Sequence, residues 1–160
     1  MEPADAADLA ELFARIDQTF FTPHPMTPEE ADRITAHRGR DVYLIGRVGK
    51  VPVAYGMLRG WDDGFDVPSV GVAVRSDCEH RGFGRAMMRA LHAAARKASA
   101  STVRLRVHPQ NTRALALYRF MGYREAGLER GEILMLCDVA EPFSPAPAPD
   151  RMASERASPC

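Results

Sequence analysis

No run of about eighteen apolar residues, the length a membrane-spanning helix needs, occurs anywhere in the 160-residue sequence, so no membrane contact is expected. Net charge is also missing, because 21 basic residues balance 21 acidic ones. That balance argues against a nucleic-acid partner held by bulk electrostatics, while leaving room for a local anion site. Cysteine is scarce. Cys78, Cys137 and Cys160 are odd in number and match neither a metal-ligand spacing nor a disulfide framework. Reduced thiols, no metal and a cytoplasmic location are the expectations that follow. Cys160 is the last residue and so cannot be a prenylation site, which needs a cysteine fourth from the end. Cys78 lacks a readable His–carboxylate arrangement that would make it a nucleophile. Met1-Glu-Pro-Ala-Asp5 is acidic where a secretory signal is basic and then apolar.

The richest stretch runs from Ser69 to Met88 and reads as a strand, a short glycine-bearing loop and a helix. A helix opened by glycines leaves several backbone N–H groups aimed at one spot, which suits a phosphate. Gly82 and Gly84 let the backbone approach a ligand, and Arg81 and Arg85 add positive charge. The same glycines would also serve a plain strand–turn–helix crossover. No Lys-Ser or Lys-Thr follows the second glycine, so this is not a P-loop. The third glycine of the dinucleotide fingerprint is absent too.

Around this stretch the chain reads as one domain over residues 1–140, followed by a Pro/Ala/Ser-rich disordered tail over 141–160. An amphipathic helix is predicted over Asp5–Asp17, capped by Asp5. Thr27-Pro-Glu-Glu30 opens a second helix running to His37 and ended by Gly39. Two strands, Val42–Val48 and Val51–Gly60, form a hairpin at Gly49-Lys50. A loop over Trp61–Pro68 leads to an apolar strand, Ser69–Val74, of the kind buried on both faces. Then come a helix over Gly84–Ser99, a strand over Val103–Val107, a helix over Asn111–Met121 stopped by Gly122, and two last strands. The fold class is α/β: a mixed, mostly antiparallel sheet built around a parallel strand–loop–helix–strand crossover.

Two motifs together resemble the GNAT family of acyl-CoA-dependent N-acetyltransferases. Glu79-His-Arg-Gly82-Phe-Gly84 stands where the family has Gln/Arg-x-x-Gly-x-Gly/Ala at a helix start. Asn111-Thr-Arg-Ala114-Leu-Ala-Leu117-Tyr118-Arg-Phe-Met-Gly122-Tyr123 matches Asn-x-x-Ala-x-x-Leu-Tyr-x-x-x-Gly-Phe/Tyr at every position. The likeness covers residues 5–138. It departs from the family in two ways: Glu79 replaces Gln or Arg, and the family's first strand is short or absent here.

The resemblance implies acetyl-CoA as co-substrate and an amine as acceptor. Backbone N–H groups over His80–Arg85, Phe83 included, would hold the pyrophosphate. The strand edge at Val72, Ala73 and Val74 would pair with the pantetheine amides and polarise the thioester carbonyl. Gly71 either permits a bulge that splays this strand from the next or packs closely. Tyr118 is assigned as the acid that protonates the leaving thiol, since a phenol near pKa ~10 lies close to a thiol. Asn111 caps its helix, hydrogen-bonds CoA, or does both.

For the base, Asp66 and Asp62 are chosen from a set that also holds Asp63, His24 and His108. The acceptor pocket is assigned to Phe20, Phe21, His24, Tyr55 and Trp61, aromatics beside acids that suit a cationic amine. A small-molecule amine, with an amino sugar as a weak analogy, is the expected acceptor. A protein N-terminus or lysine is the alternative, a CoA-binding module without turnover the alternative from another class, and a homodimer is left open.

Overall fold

The computed structural model describes residues 1–141, so the tail read as disordered lies outside the described residues, as does Cys160. Among those residues six strands form one mixed sheet in the order β1-β2-β3-β4-β6-β5. The strands are β1 (Val42–Val48), β2 (Val51–Arg59), β3 (Ser69–Val74), β4 (Thr102–Val107), β5 (Arg124–Glu129) and β6 (Glu132–Asp138). The β3–β4 pair is parallel and the others are antiparallel. The crossover between β3 and β4 is α3 (Phe83–Lys97), as the alternation of elements predicts. No strand precedes α1 (Ala6–Phe13) among the described residues, where a first strand was expected to be short or absent.

Helices cover both faces of the sheet. Leu9, Leu12 and Phe13 of α1 and Ile34 of α2 (Pro28–Thr35) pack on Tyr43, Tyr55, Met57 and Ala73. On the other face, Met87, Met88 and Leu91 of α3 join Leu115, Tyr118 and Met121, from α4 (Thr112–Phe120) and its C-cap, against Leu58, Leu105 and Met135. Strand periodicity sorts these sets, since alternate side chains point to opposite faces. Helix α3 lies so close to β2 that a Cβ on Gly56 would stand 2.6 Å from Met87 Sδ.

Several local expectations need correction. Helix α1 is shorter than Asp5–Asp17 because it ends at Phe13, and Asp5, at its N-cap position, makes no side-chain cap. The Asp5 carboxylate instead accepts from the Glu2 N–H at 2.8 Å and from Arg47 Nη2 at 2.7 Å. Thr27 does cap α2, its Oγ1 accepting from the Glu30 N–H. That helix stops at Thr35, before Gly39. Gly39 serves a different purpose: the Asp62 carboxylate packs against it, and a Cβ there would overlap that group.

Candidate active site

The site begins where β3 and β4 part. They pair only at Ser69 and Arg104, with the Arg104 N–H donating to the Pro68 carbonyl at 3.0 Å. Beyond that point β3 keeps its antiparallel ladder with β2 and leaves β4 behind. Alternation along that ladder decides which backbone groups are left over. The Arg75 N–H donates to the Val53 carbonyl, so the odd-numbered residues of β3 serve β2. Val72 and Val74 therefore turn their N–H and C=O groups into the gap, whereas Ala73 spends its own on Tyr55. The gap opens without a bulge at Gly71, whose ladder register is continuous. Gly71 is a packing glycine, because a Cβ there would overlap Met57.

This gap belongs to a cleft of about 920 Å³, large enough for a sizeable ligand. One end of it is the α3 N-terminus. Gly82 precedes the helix at φ 83°, a left-handed conformation natural to glycine, and nothing stands within 4 Å of a Cβ built on it. The backbone conformation, not crowding, asks for glycine here. The first α-type bond of the helix runs from Ala86 N–H to the Gly82 carbonyl, so the preceding N–H groups have no partner inside the helix. Those unpaired donors, with the helix dipole behind them, suit a diphosphate. A Cβ on Gly84 would sit 3.5 Å from Leu117 and 3.6 Å from Val74, ordinary contact. Arg85 is held over the Phe120 ring at 4.3 Å.

Glu79 does not stand as a bare negative charge beside this end. Both its oxygens accept from the Arg113 guanidinium of α4, one bond at 2.6 Å, and this pairing holds its carboxyl below the usual range. The departure from the Gln/Arg pattern is thus offset locally by an arginine across the cleft.

Helix α4 brings Asn111 and Tyr118 to one wall. Asn111 caps the helix through its Oδ1, which accepts from the Ala114 N–H at 3.2 Å. Tyr118 follows two turns later on the same face and is 9% exposed. Among the described residues its hydroxyl has no hydrogen-bond partner, and it lines the cleft. Burial pushes its phenol up to about 12.

At the other end, past Ser69 and Gly71, lies a chamber on the α1/α2 side of the sheet. Phe20, Phe21 and Pro23 line it from the loop between α1 and α2, and Met57, Arg106 and Glu132 from strands. Phe20 stacks on His108 with centroids 5.2 Å apart. His108 Nδ1 accepts from the Gln110 N–H, which leaves Nε2 as the donor of the neutral ring.

Most of the residues assigned from sequence to CoA meet in this cleft: Val72, Ala73, Val74, Glu79, His80, Gly82, Phe83, Gly84, Arg85, Asn111 and Tyr118. Arg81 is exposed and does not line it. The acceptor set divides. Phe20 and Phe21 line the chamber, but His24 and Tyr55 lie beneath its loop. His24 Nδ1 lies 2.8 Å from the Pro25 carbonyl and its Nε2 lies 3.0 Å from the Tyr55 hydroxyl, a clasp that ties the loop to the sheet. Trp61 is buried in the α3-side core, with Arg40 stacked over it.

Asp62 and Asp66 are not brought to the cleft. Asp62 accepts from the Arg40 and Asp41 N–H groups at 2.7 and 3.3 Å and sits 3.0 Å from His37 Nε2. Asp66 lines a separate hollow of about 370 Å³ with Arg40, Trp61 and the turn after α3. The cause is Asp41, whose Oδ1 accepts from the N–H groups of Gly60, Trp61 and Asp62 and fastens this loop to the start of β1. The sequence reading passed over Arg106, Glu132 and Arg113. The alternation of Val103–Val107 places Arg106 on one strand face, whereas nothing local in the sequence singles out Glu132 or Arg113.

Comparison with known proteins fits this geometry. The model of the acetyltransferase (GNAT) family matches residues 7–123. The chain belongs to the GNAT family. Its fold is similar to the ribosomal-protein-S18-alanine N-acetyltransferase from Escherichia coli, with TM-score 0.70 and 20% identity over 88% of this chain and 92% of that one. The GNAT domain of S. lividans PAT superposes with TM-score 0.75 at 19% identity, over 86% and 87% of the two chains. An N-acetyltransferase from Thermoplasma acidophilum, solved with coenzyme A, gives TM-score 0.72 at 12% identity over 86% and 95%. A comparison with curated proteins finds no matching sequence. As a GNAT acetyltransferase the protein uses acetyl-CoA and moves an acetyl group to an amine. The unpaired backbone of Val72 and Val74 and the donors at the α3 N-terminus fit that co-substrate: amides for an amide chain, N–H groups for a diphosphate.

Proposed function

We propose that the protein acetylates the primary amine of a small molecule by direct attack in a ternary complex. The observation that carries this reading is continuity: one cleft joins the α3 N-terminus, the β3–β4 gap and the chamber under Phe20–Pro23. The co-substrate supplies an activated acetyl thioester. Val72 and Val74 hold the amide chain, and one of their N–H groups polarises the carbonyl as its oxygen gains charge. Tyr118 directs its hydroxyl to the departing sulfur. At about 12 this phenol is a weaker acid than a thiol of about 8.5, so it stabilises the developing thiolate as a hydrogen-bond donor rather than surrendering its proton; the proton that the amine loses on attack passes to solvent, which returns one to the thiolate.

The small-molecule reading rests on the fixed roof of the chamber. The His24–Tyr55 clasp and a bond from Arg59 Nη1 to the Pro23 carbonyl at 3.2 Å tie its loop to the sheet, which favours a small acceptor over a long peptide. Of the run Tyr55–Asp62 that suggested an amino sugar, only Met57 lines the cleft, so the reading keeps the amine without the sugar.

The test is thiol release from acetyl-CoA across a panel of small amines and peptides, with acetylated product confirmed by mass spectrometry. Amine-dependent release with small molecules supports the reading. Release with peptides alone replaces it with protein acetylation, and CoA binding without release to any acceptor replaces it with a binding module.

A further inference from the structure

The acceptor chamber contains an arginine that the fold holds only by a loose ion pair. Val103, Leu105 and Val107 of β4 point into the α3-side core, so Arg104 and Arg106 point to the opposite face. Arg104 lies where β3 and β4 still touch, and Glu129 takes its guanidinium at 2.5 Å. Arg106 comes two residues later, where β3 has left, and it lines the cleft.

Its nearest carboxylate is Glu132, with Nε and Oε2 at 3.8 Å, beyond hydrogen-bond range. Among the described residues neither side chain makes a hydrogen bond. The other carboxylates lining the cleft are engaged: Asp17 by Thr19, with bonds of 2.6 and 2.8 Å, and Glu79 by Arg113. The chamber thus offers a guanidinium and a carboxylate side by side in a loose ion pair, with no hydrogen bond to hold either.

Resting on the reading that this chamber takes the acceptor, we propose that the acceptor is an amino carboxylate, its carboxylate held by Arg106 and its ammonium received by Glu132. A guanidinium presents paired donors that match a carboxylate, which makes Arg106 a specificity-determining residue. An amino sugar without a carboxylate leaves that fork without a partner. A polyamine brings a second cation against it, so both classes are disfavoured.

The experiment compares amino acids with their carboxamides as acceptors, for the wild type, Arg106→Gln and Arg106→Lys, with thermal melting to check folding. The wild type is expected to favour the carboxylate by about tenfold or more in kcat/KM. Arg106→Gln should raise KM for the carboxylate about ten- to hundredfold and change that for the carboxamide much less. Arg106→Lys should restore part of the preference. Equal use of both acceptors by the wild type, or an equal effect of Arg106→Gln on both, overturns the proposal while leaving amine acetylation standing. Absence of turnover with every amine overturns the underlying reading, and the proposal with it.

Discussion

Replacing Tyr118 with phenylalanine isolates one oxygen. The ring stays, so packing against Tyr123, with centroids 5.7 Å apart, is kept. The hydroxyl makes no hydrogen bond to the described protein residues, so its removal strands no buried partner and stability should change little. Turnover should respond differently. A hydrogen bond to a charged group contributes about 1.5–3 kcal/mol. If it forms only as the thiolate develops, its loss lowers kcat about ten- to 150-fold. Affinity for acetyl-CoA should hold, because Val72, Val74 and the α3 N-terminus are untouched. The pH profile adds a second check. With its phenol at about 12, Tyr118 stays protonated through pH 10, so kcat should show no basic limb from it below that value. Thiol-release kinetics, calorimetry with CoA and a melting curve on the same preparation settle the matter. A kcat within twofold of wild type would remove Tyr118 from the mechanism.

Other consequences follow from the same geometry. Asp62→Ala and Asp66→Asn should leave kcat unchanged in thiol-release assays, Asp62→Ala alone lowering the melting temperature, because Asp62 holds the Arg40–Asp41 backbone and Asp66 faces a different hollow. Gly82→Ala places a side chain in open space but at φ 83°, costing about 1–2 kcal/mol of backbone strain. Calorimetry should show acetyl-CoA affinity reduced by up to about tenfold, and an unchanged affinity would mean that the loop conformation does not matter. Burial of His92, 3% exposed and 2.9 Å from the Tyr123 hydroxyl, lowers its imidazole to about 4. The unfolded chain then binds the extra proton between about pH 6.5 and 4, so stability is full above that window and falls as pH drops through it, by on the order of 3 kcal/mol. Urea denaturation at pH 7.5 and 5 should show this slope, His92→Gln should flatten it, and an equal slope in both proteins would refute the assignment.

The cleft between β3, the α3 N-terminus and α4 was legible in the sequence because its signals are local. The apolar run Ser69–Val74, the glycines at 82 and 84 and the Asn111-to-Tyr118 spacing each fix geometry within one or two elements. The acceptor end depended on contacts far apart in sequence. Nothing near Asp62 or Asp66 announces that Asp41 caps the N–H groups of Gly60–Asp62 and draws their loop away. His24 and Tyr55 looked available as single residues, but their mutual hydrogen bond consumes both. Arg106 stood in plain alternation on its strand, yet its exposure to the cleft follows only from β3 parting from β4 after Ser69.

Titration of acetyl-CoA into the purified protein by calorimetry, with ATP and NADH as controls, tests the central claim most directly, namely that the β3–β4 gap and the α3 N-terminus together form the acetyl-CoA site. The account predicts micromolar binding selective for acetyl-CoA. Absence of binding, or equal binding of ATP and NADH, would contradict it.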